Sequence, residues 1–148
     1  SLDGPFCHVE LQFADACACS IYMGCEVTMK VRGFSSDNYT CVSIPCTITQ
    51  ELRARSFAET QTSNRVQFST IQMSSCVTWF HATNDPAKTF CSKLVAETLQ
   101  AAGIIPDTIN SCQMSPSALY RLLLPIAESG QAKQTSQRVQ AIDFKSSY

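Results

Sequence analysis

Apolar and polar residues alternate from His8 to Phe13, with Val9, Leu11 and Phe13 on one side and His8, Glu10 and Gln12 on the other. A period of two of this kind predicts a half-buried strand. Ala14-Asp15-Ala16 reads as a turn, and Cys17 to Met23 as the returning strand of a hairpin that ends at Gly24. Glu26 to Arg32 alternates again with Val27, Met29 and Val31 inward, and Tyr39 to Ile44 repeats the pattern after the turn-rich stretch Gly33 to Asn38. The first third is therefore expected to be an antiparallel meander.

Pro45 closes that region, and Thr47 followed by Gln50 is a capping box that predicts a helix through about Thr60. Gln61 to Ser75 is polar with weak periodicity, which predicts loop with one short strand or turn around Val66 to Ile71. The strongest helical spacing follows the break at Asp85-Pro86. Thr89 stands where a cap would, Cys91, Leu94, Val95, Thr98, Leu99 and Ala102 recur at helical intervals, and Gly103 supplies the stop. Ser115 as cap and Pro116 in the first helical position open another helix through Leu119, Leu122 and Leu123 to about Ile126. The tail from Gln131 is polar except for Val139, Ile142 and Phe144, which predict a last short strand.

These elements run to 148 residues, 45% of them apolar and 16% charged, the composition of one soluble globular α+β domain over 1–148. A chain of this length buries roughly 70% of its unfolded surface, so its core needs no metal or disulfide staple. Eleven basic residues against twelve acidic ones give a net charge of -1. The basic residues are scattered, which argues against a nucleic-acid partner, because phosphate neutralisation needs a concentrated positive footprint. No apolar run approaches the ~20 residues of a transmembrane helix, and the first residues lack the basic and apolar regions of a secretory signal.

Most of the nine cysteines, an odd number, read as reduced thiols serving as small core residues in an intracellular protein rather than a secreted one. Cys17 and Cys19, and Cys41 and Cys46, lie close in sequence, but there is no Cys-x-x-Cys pair and only two histidines. No metal or other cofactor is expected.

Cys91 stands in the first turn of its helix, where the positive end of the helix dipole favours a thiolate; the competing reading is a small thiol opening an apolar stripe. A nucleophilic thiol needs a base, and histidine is the residue suited to it. His81 lies in a polar, turn-rich segment and reads as an exposed loop residue. His8 lies on the polar face of a rigid strand, and a strand histidine facing a cysteine at a helix tip is the arrangement of papain-like thiol hydrolases.

Cys7-His8-Val9-Glu10-Leu11, Ala18-Cys19-Ser20-Ile21, Phe90-Cys91-Ser92-Lys93-Leu94-Val95 and Ser115-Pro116-Ser117-Ala118-Leu119-Tyr120, in that order over about residues 6 to 124, resemble circularly permuted NlpC-like papain-fold proteins of bacteria, phages and large DNA viruses. The resemblance implies an antiparallel sheet packed against helices, Cys91 as nucleophile and His8 as its base, with the Ser-Pro-x-x-Leu segment a structural marker. The family's Tyr-Asp pair ahead of the cysteine is not evident, and Gln67-Phe68-Ser69 occupies that region. The family's third residue, on the strand after the histidine strand, falls at Ser20. Glu10, two residues along the same face as His8, is the alternative orienting group. The implied activity is thiol-dependent hydrolysis of an amide, isopeptide or ester in a protein or peptide substrate, within a cytoplasmic or virion-associated protein. Two other readings remain: a lipid acyltransferase or thioesterase with an acyl channel along 104–114 or 122–127, and a binding or structural protein without turnover.

Overall fold

A computed structural model describes residues 4–76, 84–131 and 138–146. Five strands form one antiparallel sheet: β1 (Phe6–Gln12), β2 (Cys17–Ser20), β3 (Thr28–Val31), β4 (Tyr39–Cys46) and a last strand, Arg138–Ser146. The order across the sheet is β3, β2, β1, the last strand, β4. The expected meander thus holds for β1 to β3 and stops there. β4 does not pair with β3; it is an edge strand, which is where Pro45, lacking an N–H, is tolerated inside a ladder. The tail, expected to give a short strand, gives nine residues in the middle of the sheet, with Val9 opposite Phe144, Leu11 opposite Ile142, and Val42 opposite Ile142.

Val9, Leu11, Val42, Ile44, Ile142 and Phe144 cover the core face, all buried. Burying each such side chain is worth roughly 1.5–3 kcal/mol. Val27 is buried as expected, but Val31, at the end of the β3 edge, is 74% exposed. Phe6 also reaches the core, against Tyr120 and Phe144, although it lies three residues from Val9 and a regular strand would turn it outward. The register shifts between Phe6 and His8, so a bulge at Cys7 absorbs the odd residue and turns Phe6 back to the core face, while His8 keeps its place on the other.

The helices follow their local signals. α1 (Ile48–Ser63) opens on the Thr47–Gln50 capping box. The short strand β5 (Gln67–Phe68) and α2 (Thr70–Ser74) fill the stretch read mainly as loop. β6 (Lys88–Thr89) pairs in parallel with β5 and delivers the chain to α3 (Cys91–Ala101). α3 ends in a Schellman motif: Ile104 N–H bonds Leu99 O, Gly103 N–H bonds Gln100 O, and Gly103 has a φ of +73°. Ser115 caps α4 (Pro116–Gln131) through the Ala118 N–H, and the helix runs past the expected end, through Pro125. Naming the last strand β7, α3 packs on β1, and α4 on β1 and β4. Among the described residues no helix is long and apolar enough to cross a membrane.

Candidate active site

Cys91 is the first residue of α3, and its neighbour Phe90 is the N-cap, not Thr89, which belongs to β6. Phe90 makes no side-chain cap bond. A Ser or Asp there would occupy the first-turn N–H groups; phenylalanine leaves them uncapped beside the thiol. The first turn is also fixed in place. Lys93, 2% exposed, donates from Nζ to Gln72 Oε1 (2.9 Å), Asn84 Oδ1 (2.8 Å) and Lys88 O (3.3 Å), tying α3 to α2, to β6 and to the segment before it.

His8 meets Cys91 from β1. Its Nε2 lies 3.1 Å from Glu10 Oε1, and the Cys91 thiol is its other side-chain hydrogen-bond partner. Burial opposes charge on the imidazole, but the hydrogen bonds to Cys91 and Glu10 and their negative charge outweigh it and hold the His8 pKa up to about 9. The site is built to keep the imidazolium.

Glu10 is fully buried. Burial alone would raise its pKa, but bonds from His8 and Tyr22 and the charges of His8 and Arg32 bring it below the ordinary carboxylate value. Its Oε1 takes His8 Nε2, the Tyr22 hydroxyl and Arg32 Nη1 (3.1 Å), while Arg32 Nη1 also donates to Tyr22 Oη at 2.6 Å. The Tyr22 ring stacks on His8 with centroids 4.5 Å apart. Tyr22 and Arg32 are site residues that the sequence reading missed. Each lies just past a strand end, and no local pattern marks it.

Of the two candidates for orienting His8, the structure brings Glu10 to the ring. Ser20 Oγ lies 3.5 Å from Thr28 Oγ1 instead, and lines a neighbouring cavity with Cys25, Glu26 and Lys30, on the other side of Tyr22 and Arg32. The β1–β2 pairing covers only Leu11 with Cys19 and Gln12 with Ala18, so the hairpin has diverged before His8 and Ser20 does not come across from it. His81 lies outside the described residues.

A cleft of about 200 Å³ opens over the Cys91–His8 pair, lined by Cys7, Ile21, Tyr22, Met23, Phe68, Met73 and Lys145. Its walls are mainly apolar, and Lys145, opposite His8 on β7, is exposed and carries the only full positive charge among the lining residues outside the imidazole. Nothing from 104–114 or 122–127 is among the residues lining this cleft. Among the described residues no three or more His, Cys, Asp or Glu come together in a way that would hold a metal ion. No protein-family model, curated protein or solved structure matches the chain.

Proposed function

We propose that the protein is a thiol hydrolase of the papain type, with Cys91 as nucleophile, His8 as acid–base and Glu10 as the group that orients and charges the imidazole. One observation carries this reading: a strand histidine, held between a carboxylate and a thiol at an uncapped helix tip, under a cleft. The Cys91 thiolate adds to the acyl carbonyl, and the Cys91 backbone N–H is placed to donate to the developing oxyanion. Imidazolium His8 gives its proton to the leaving amine or alcohol as the C–N or C–O bond breaks. That leaves a thioester. His8 then takes a proton from water, the hydroxide displaces the thiolate, and the free acid departs. Membership of the circularly permuted NlpC-like group belongs to the same proposal, supported by the order of histidine strand before cysteine helix.

A peptide or isopeptide is the substrate that fits best, because the open cleft offers apolar walls for one side chain and lacks a channel built from 104–114 or 122–127. A peptidyl vinyl sulfone probe tests the assignment. Labelling is expected at Cys91, faster near neutral pH than at the exposed Cys7, Cys25 and Cys41, and absent in Cys91→Ala. Labelling that ignores Cys91 while the protein stays folded would leave a binding or structural protein as the better reading.

A further inference from the structure

We infer that Asp143 is a positioning residue for His8: its carboxyl shares a proton with Glu10, and release of that proton strengthens the negative charge that Glu10 turns on the imidazolium. This rests on the hydrolase reading only for its consequence, not for the carboxyl pair itself.

Asp143 sits on β7 directly opposite Glu10 on β1 and opposite Cys41 on β4. Directly opposed residues share a face, with Cβ atoms roughly 4.5–5.5 Å apart. Both carboxyls are buried, Glu10 at 0% and Asp143 at 4% exposure. Each has one oxygen, Glu10 Oε2 and Asp143 Oδ2, that no N–H or O–H of the described protein reaches. A buried oxygen without a donor costs about 1–3 kcal/mol or more when charged. Two such oxygens on facing strands are satisfied by one proton held between them, the solution paired carboxylates adopt where both cannot ionise.

The groups facing Asp143 agree with this. Burial, the largest influence, opposes its charge, the Cys41 bond and the Arg32 charge favour it, and Glu10 opposes it; the balance puts its pKa up at about 6. The charged and titratable groups around it are thus Glu10 and, beyond it, His8 on β1, Cys41 on β4, Tyr22 and Arg32 after β2 and β3, and Lys145 on its own strand. Below about pH 6 the Asp143 O–H donates to Glu10 and draws charge away from His8. Above it, Glu10 and Asp143 both stand ionised behind the imidazole.

Carboxyl-carbon NMR across pH 4–8 on the unmodified protein is the test, paired with the rate of Cys91 alkylation by iodoacetamide. The Glu10 carboxyl resonance is expected to shift at the pH where Asp143 titrates, and alkylation to step upward there. In Asp143→Asn, whose amide donates to Glu10 at every pH, both steps should vanish, and Asp143→Glu should restore them. A merely structural Asp143 would lower the rate without removing the step. Independent titration of Glu10 and Asp143 in the wild type overturns the proposal even where Asp143→Asn does not fold. An inert Cys91 beside a coupled carboxyl pair would instead count against the hydrolase reading alone.

Discussion

Replacing Glu10 with Gln removes one buried negative charge while keeping an oxygen that accepts from His8 and Tyr22, so it isolates charge from geometry. The rise of the His8 pKa from 6.5 to about 9 corresponds to roughly 3 kcal/mol in favour of the imidazolium. Two partners, Cys91 and Glu10, supply that preference against burial. Assigning Glu10 about half of it predicts a fall of about one pH unit in Glu10→Gln, near 1.4 kcal/mol. The partner left behind is Arg32, whose side chain is 34% exposed, so water screens its loss of a counterion. Two histidines occur in the chain, and His81→Gln leaves His8 as the sole imidazole for NMR titration. The same variant should lower the upper limb of the pH–rate profile by about the same amount, because that limb reports loss of the imidazolium proton. A His8 titration and an upper limb both unchanged in a folded Glu10→Gln protein would refute the role of Glu10.

Tyr22→Phe deletes the hydroxyl between Arg32 and Glu10 but keeps the ring on His8, so it should cost about 1 kcal/mol of stability in urea unfolding and raise the His8 pKa, since Glu10 then has one donor fewer. Lys93→Met strands the buried Gln72 Oε1 and frees the exposed Asn84, and should destabilise by about 1–3 kcal/mol with faster amide exchange over residues 84–90. Asp143 holds its proton more tightly folded than unfolded, so its cost is absent below 3.8 and complete above about 6. Asp143→Asn is accordingly expected to be more stable than the wild type at pH 7 and to lose that advantage at pH 4, read by chemical denaturation at the two pH values.

What the sequence made legible is what neighbouring residues decide. The Thr47–Gln50 box, the Ser115-Pro116 start and the Gly103 stop act within one turn, and each helix end they mark is where the pattern put it. Alternation from His8 to Phe13 likewise placed His8 and Glu10 on one face of β1. Pairing over long separations was not legible. Nothing between Gln131 and Tyr148 announces that its few apolar residues belong at the centre of the sheet, and a weak local pattern is ordinary for a strand whose stability comes from two flanking ladders. One signal was there to find. Asp143 stands between Ile142 and Phe144, and an acid placed between two apolar residues of a strand, on the face opposite theirs, must meet something polar if that face is covered.

That strand explains why the site holds together electrostatically. With the thiolate formed, Cys91, Glu10 and Asp143 bring three negative charges against two positive ones, His8 and Arg32, and Lys145 lies out in solvent where screening weakens it. A buried cluster with an unmatched charge is costly; below about pH 6 a single proton between Glu10 and Asp143 makes the count even, and above it the unmatched charge is the cost that Asp143→Asn removes. Remove β7 and the proton has no second carboxyl to bridge to, while β1 loses the ladder that fixes His8 opposite Lys145. The strand that completes the sheet therefore also sets the charge state in which His8 faces Cys91.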